Sequence, residues 1–257
     1  MVSPNVEGIP AFEDNYLWVL RHGSHAVVVD PGDADPVLEY LSNESLTLSG
    51  ILLTHHHPDH VGGVATLLAF TPHVPVYGPK DDRMGMVTQP VKEGDLVTLP
   101  NLSLPLRVLE VPGHTASHVA YAGDGLLFCG DTLFACGCGR LFEGTPAQML
   151  ASLDKLACLP QNTRVYCAHE YTLSNIAFAL AVEPDNPALT MRATEVRARR
   201  QQGLPTVPSL LSLELATNPF LRCHEPGVVQ SVSTRSAQSL PDRTAVFAAL
   251  REWKNHF

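Results

Sequence analysis

The chain has 257 residues, 45% hydrophobic and 17% charged, which excludes a disordered polypeptide and allows one large domain or a domain with an appendage. Its net charge of −9 at pH 7 argues against a nucleic-acid or anionic-membrane partner, since phosphate binding leans on an excess of Lys and Arg. With no basic-then-apolar opening and no run of about 18 apolar residues, the chain is expected to be cytoplasmic and to have no membrane partner.

Residues 11–20 and 25–30 are predicted strands, broken by the turn His22-Gly23-Ser24. The second runs Val27-Val28-Val29-Asp30-Pro31-Gly32, which puts Asp30 at a strand tip, either orienting a ligand histidine or forming the turn. A short helix over 36–41 and a strand over 50–54 follow. That strand leads into Thr54-His55-His56-His57-Pro58-Asp59-His60 and then a helix near 63–70.

This loop places four metal-binding groups within six residues. Side chains alternate along an extended segment, so His55 and His57 point one way and His56 the other. As the chain turns toward a helix, Asp59 and His60 can reach a second point nearby. Two imidazoles for one ion, with a carboxylate and an imidazole for a neighbour, suit zinc or iron.

From residue 74 to 128 short β-like runs (74–77, 96–99, 106–109, 119–121, 126–128) alternate with Gly/Pro turns, the pattern of antiparallel or mixed sheets packed together. Thr145-Pro146-Ala147-Gln148 starts a helix expected to reach Ala157, with Thr as N-cap, Pro at the first helical position and Gln three residues on. Residues 163–168 are predicted as the last strand. Three further candidate ligands end β-like runs: His114, Asp131 and His169. A sheet that delivers ligands to one rim would give this pattern. The seven then divide into His55, His57 and His114 on one ion, Asp59, His60 and His169 on a second, with Asp131 bridging.

After Tyr171 the character becomes helical: residues 174–182, 188–202 and 208–216, and a final helix capped by Ser239-Leu240-Pro241-Asp242 and reaching about Asn255. Val246, Leu250, Trp253 and Phe257 form its inward stripe, with Arg251 and Lys254 neighbours on a flank that spacing alone reads as a solvated basic edge. The six cysteines (129, 136, 138, 158, 167 and 223) form no CxxC pair and are expected reduced; Cys136 and Cys138, near Asp131, are read as packing or loop residues.

Thr-His-x-His-x-Asp-His followed by Gly113-His114, Gly130-Asp131-Thr132 and Ala168-His169-Glu170 resembles the metallo-β-lactamase superfamily. Cys129 to Phe134, Gly137 to Thr145, His169 to Thr172, the opening Ile9 to Tyr16 and the closing Arg251-Glu252-Trp253-Lys254 resemble the glyoxalase II (hydroxyacylglutathione hydrolase) family over nearly the whole chain. The resemblance implies an α+β fold, an αββα sandwich over residues 1–170 with a helical glutathione-binding domain over 171–257. It implies two divalent metal ions, zinc first, with iron or manganese also accepted by this donor set. It also implies that Arg251 and Lys254 bind the glycine carboxylate of glutathione, with Arg140 and Tyr171 beside it. Phe142 departs from relatives that carry a tyrosine, which removes one possible hydrogen bond.

Two ions roughly 3.5–4 Å apart share a water and lower its pKa toward about 7. No Gly-x-Ser-x-Gly elbow appears, and no cysteine has an evident partner histidine. The reaction implied is hydrolysis of an S-(2-hydroxyacyl)glutathione, S-D-lactoylglutathione above all, as the second step of methylglyoxal disposal. Asp59 and Asp131 would serve it through the metal-bridging hydroxide, Asp59 as a ligand rather than a free base. The expected protein is a monomer acting on a small glutathione thioester. The alternative is a persulfide dioxygenase-like enzyme with a single iron, which would not need the helical tail. His56, His73 and His118 are given no role.

Overall fold

The structure, a computed structural model, describes residues 5–99, 104–237 and 239–257. These form two compact units, one drawn from Met1–Glu110 with Ser117–Gly130, the other from Val111–Ala116 with Asp131–Phe257.

In the first unit the elements run β1 (Asn5–Ala11), β2 (Asn15–His22), β3 (His25–Val29), α1 (Asp35–Asn43), β4 (Thr47–Leu52), α2 (Pro58–Val61), α3 (Val64–Phe70), β5 (Val76–Pro79), β6 (Gln89–Val91), β7 (Leu96–Thr98), β8 (Pro105–Glu110), β9 (Val119–Gly123) and β10 (Leu126–Gly130). Strands β1 to β6 lie in chain order in one sheet, antiparallel from β1 to β3 and parallel from β3 to β6. Strands β7 to β10 form an antiparallel meander.

Both faces of the first sheet are covered, and the side-chain period of two shows it. Val19, Val28 and Ile51 join one apolar cluster with Val37 and Leu41 of α1 and Val64 and Leu67 of α3. Leu20, Val27 and Leu52, on the alternate positions, are just as buried. Each such side chain stabilises the fold by about 1.5–3 kcal/mol. Parallel strands β3 and β4 both end at one edge of the sheet, where Asp30 and the His55–His60 loop emerge; ligand-bearing loops at the carboxyl ends of parallel strands are the general rule for such sheets.

The second unit contains β11 (Leu133–Phe134), β12 (Gly137–Cys138), α4 (Pro146–Ala157), β13 (Arg164–Cys167), α5 (Thr172–Val182), α6 (Pro187–Gln201), β14 (Ser209–Leu210), α7 (Leu211–Thr217), α8 (Pro226–Ser236) and α9 (Arg243–Asn255). The α4 start is a full capping box between Thr145 and Gln148. Asn186 caps α6 and Asp242 caps α9, each side chain accepting from the backbone N–H three residues on. Phe178, Phe220, Phe247 and Trp253 form an aromatic core joining α5 and α9.

Several expectations need correction. Residues 11–20 are not one strand: a turn at 12–14 separates β1 from β2, with Phe12 in the left-handed region, and no Gly or Pro announces it. The strand placed at 50–54 is β4, Thr47–Leu52, so the ligand loop starts earlier. The strand at 163–168 is not the last, because β14 pairs with β13 at the head of what read as a single helix over 208–216. Helix α8 was not foreseen. Phe257 lies past the end of α9 and is 59% exposed, whereas Phe247 is fully buried.

Candidate metal centre and its two donor sets

In the first unit Asp30 organises the loop that follows β4. Its Oδ1 accepts from the Thr54 backbone N–H at 2.7 Å, and its Oδ2 accepts from the Thr54 hydroxyl at 2.7 Å. The same Oδ2 lies 3.0 Å from His60 Nδ1. Of the two roles left open for Asp30, both leave a mark: it orients the His60 imidazole, and its carbonyl accepts from the Gly32 N–H at 2.8 Å in the turn. His60 Nδ1–H donates to the carboxylate, so Nε2 carries the lone pair, 3.4 Å from Asp59 Oδ2. Asn15 holds the same Asp59 oxygen through its side-chain N–H at 3.0 Å. Sequence reasoning gave Asn15 no role; only its place within the stretch resembling the family could have pointed to it.

His55 is fixed by the same logic. The Thr54 hydroxyl gives its proton to Asp30, so it accepts from His55 Nδ1–H at 3.0 Å and leaves Nε2 as a lone pair. That Nε2 lies 2.9 Å from His57 Nδ1. His118 stacks on His55 with ring centroids 4.6 Å apart and an 18° interplanar angle, fully buried, a contact the sequence did not announce. His56 points away, its Nδ1 3.9 Å from Asp81 Oδ2. The Arg83 guanidinium on Asp81 holds that carboxyl well below the usual carboxylate range. Gly32 is required by close approach: a Cβ there would sit 1.7 Å from the Asp59 carbonyl oxygen.

In the second unit Asp131 lies between two imidazoles. Its Oδ2 is 3.4 Å from His114 Nε2 and its Oδ1 is 3.3 Å from His169 Nε2. His114 Nδ1–H donates to the Arg140 carbonyl at 2.9 Å, which turns Nε2 toward the carboxylate. A Cβ on Gly139 would come within 2.0 Å of the Asp131 carbonyl oxygen and 3.1 Å of His114 Nδ1, so only glycine fits. All three donors are buried.

The chemistry of these sets fits a cation. Bonds of about 2.0–2.1 Å place two tetrahedral donors roughly 3.4 Å apart on a shared ion. The three imidazole–carboxylate separations between candidate ligands are 3.3–3.4 Å, longer than a charge-assisted hydrogen bond and at the spacing of ligands sharing an ion. Within the first unit His55 groups with His57 and Asp59 with His60; within the second, Asp131 offers one oxygen beside each imidazole. This is a His/Asp donor set of the kind that binds divalent metal.

The candidate substrate residues all lie in the second unit. Tyr171 stacks on His169, centroids 4.7 Å apart at 4°, and Phe142 meets His114 edge-on at 5.2 Å. Arg140 is exposed. Arg251 is not the solvated edge that spacing suggested: it is 6% exposed, with Nη1 on the Cys138 carbonyl at 2.9 Å and its guanidinium over Phe220. Lys254 lies over the Phe178 ring, 3.3 Å from the Ser174 carbonyl. Burial, reinforced by the cations of Arg251 and Arg140, pushes its ammonium down to about 8. None of the six cysteines is in a disulfide; burial pushes Cys136 up to about 12 and Cys138 to about 11, so both stay thiols.

Comparison with known proteins places this architecture. The metallo-beta-lactamase superfamily model matches residues 12–169, and the model for the hydroxyacylglutathione hydrolase C-terminus matches residues 170–257. The chain is 59% identical over 252 residues to the hydroxyacylglutathione hydrolase of Alkalilimnicola ehrlichii, covering 97% of this chain and 98% of the relative. It is 53% identical over 253 residues to that of Nitrosomonas europaea, covering 98% and 96%. Among solved structures it resembles TTHA1623 in a di-iron-bound form, with 27% identity, a TM-score of 0.58, and 86% and 100% of the two chains covered. The fold is α+β, a metallo-β-lactamase fold with a helical C-terminal region, and the chain belongs to the metallo-β-lactamase superfamily and, within it, to the hydroxyacylglutathione hydrolases.

Proposed function

We propose that this chain hydrolyses S-(2-hydroxyacyl)glutathione thioesters, S-D-lactoylglutathione above all, to a 2-hydroxy acid and glutathione. In this reading His55, His57 and His114 hold one divalent cation, Asp59, His60 and His169 a second, and Asp131 serves both. The observation that carries it is the paired spacing within each unit, with Asp131 presenting one oxygen at 3.3 Å and the other at 3.4 Å to two separate imidazoles. Two such cations, zinc first, would supply Lewis acidity for the thioester carbonyl and a shared water with a pKa lowered toward about 7.

The protein groups divide the remaining work. Asp59 is held by Asn15 and faces His60, so it acts as a ligand and not as a mobile general base. Arg140, Tyr171, Arg251 and Lys254 receive the glutathione moiety. Arg251, tied to the Cys138 carbonyl, contributes a fixed positive charge, while Lys254 provides the ammonium that meets a carboxylate. We place the functional division near residue 170, with substrate recognition by the helical part together with Arg140, and a monomer as the acting unit. Among the described residues no helix is long and apolar enough to cross a membrane; a cytoplasmic location is part of the proposal.

The rival, a persulfide dioxygenase-like enzyme with one iron, needs no helical glutathione-binding tail, whereas this chain matches the hydroxyacylglutathione hydrolase C-terminus over 170–257. The discriminating experiment offers the purified protein S-D-lactoylglutathione and, separately, glutathione persulfide in an oxygen electrode. Thioester loss without oxygen uptake on the persulfide is expected; oxygen consumption without thioester loss would reverse the assignment.

A further inference from the structure

Residues 131–140 run from Asp131, through the hairpin β11–β12, to Arg140, whose carbonyl orients His114. The turn of this hairpin is buried, and Cys136 sits in the left-handed region at φ 55°, where a non-glycine residue persists only when its surroundings hold it. Helix side chains meet its backbone groups one after another. Glu214 of α7 accepts from the Cys136 N–H at 2.8 Å. Asn218, just past α7, donates to the Phe134 carbonyl at 3.1 Å and the Gly137 carbonyl at 2.9 Å. Asn175 of α5 donates to the Ala135 carbonyl at 3.1 Å, and Arg251 of α9 to the Cys138 carbonyl.

The clamp is itself braced. Glu214, fully buried, takes Arg192 Nη2 at 2.5 Å, and its Oε2 also accepts from Asn218 at 3.2 Å. Arg192 donates in addition to the Thr217 hydroxyl. A buried network in which each polar group is met fixes one geometry and resists alternatives.

We infer that Asn218 and Glu214 are positioning residues for the catalytic centre: through the 134–138 backbone they set where Asp131 and the His114-orienting carbonyl stand. The helical region therefore does more than receive substrate; it tunes the donor set. This rests on the metal reading proposed above. Removing the Asn218 amide, which bonds to none of the candidate substrate residues, frees the Phe134 and Gly137 carbonyls, lets the hairpin relax, and spoils the spacing around Asp131.

The test uses the full chain carrying Asn218→Ala or the milder Asn175→Ala, which deletes a single bond. Wild type and variants are loaded with Co(II) and compared by visible absorption, by cobalt retained against a competing chelator, and by kcat and KM on S-D-lactoylglutathione. For Asn218→Ala the cobalt bands shift, cobalt affinity and kcat each fall by about tenfold or more, and KM stays near wild type; Asn175→Ala moves the same way by less. Circular dichroism confirms folding, and if Asn218→Ala does not fold, Asn175→Ala decides alone. Wild-type cobalt bands and affinity in the folded variants would overturn the proposal. A wild-type protein that takes up no cobalt would instead sink the metal reading, and this inference with it.

Discussion

His60 Nδ1 lies 3.0 Å from Oδ2 of Asp30, with both side chains buried. One carboxylate thus fixes the tautomer of a candidate ligand imidazole and, through Thr54, that of His55 as well. Asp30→Ala is expected to lower metal affinity by about 10- to 100-fold, with activity at limiting metal falling in step. Asp30→Asn, which keeps an acceptor and tolerates the left-handed φ of 49°, should lose less. Competition with a chromogenic chelator measures both.

If Lys254 receives the glutathione carboxylate as proposed, substrate binding has its own pH dependence. Its ammonium is pushed down to about 8, so the charge is present below that pH and lost as pH rises through it. KM for the glutathione thioester should stay flat to about pH 7 and climb above about 8. A bound carboxylate favours the charged form, so kcat should hold over the same range. Lys254→Arg should move the climb in KM beyond the measurable range, because guanidinium keeps its proton. Initial-rate kinetics from pH 6 to 9.5 read all three.

Phe142 is 63% exposed and edge-on to His114. Phe142→Tyr adds the hydroxyl that would bond to substrate if the ring borders the proposed glutathione site, and one net hydrogen bond is worth about 0.5–1.5 kcal/mol. KM is expected to fall by about 2- to 12-fold with kcat little changed. A KM that stays put or rises, measured on S-D-lactoylglutathione, would show that the ring does not border the substrate.

The Arg192–Glu214 ion pair of the second unit joins two buried side chains at 2.5 Å. Arg192→Met leaves the Glu214 carboxylate buried without its counter-charge, and the expected cost is about 3–5 kcal/mol. Urea unfolding followed by circular dichroism gives the value.

Local chemistry was legible where it is written in neighbouring residues. The Thr145–Gln148 capping box, the Asp242 cap and the Thr54–His60 ligand loop each declare themselves within a few positions. What was missed depends on bonds that leave no periodicity. Asn15 reaches Asp59 across 44 positions and Glu214 reaches Cys136 across 78, and neither disturbs the local pattern that a sequence reader follows. Arg251 illustrates the limit: spacing put it on a solvated flank, but its guanidinium lies over Phe220 and bonds to the Cys138 carbonyl, so burial follows from tertiary partners alone. β14 went unseen because two residues paired with β13 are too few to alternate visibly.

The most direct measurement counts metal and activity in one sample. Thioester absorbance of S-D-lactoylglutathione is followed with wild type, after chelation and after metal return, and with Asp131→Ala, each sample also assayed for bound divalent metal. We predict two ions per wild-type chain, loss of turnover on chelation, recovery on return, and neither turnover nor a full metal complement in Asp131→Ala. Undiminished hydrolysis by metal-free protein, or a silent wild type holding both ions, would contradict it.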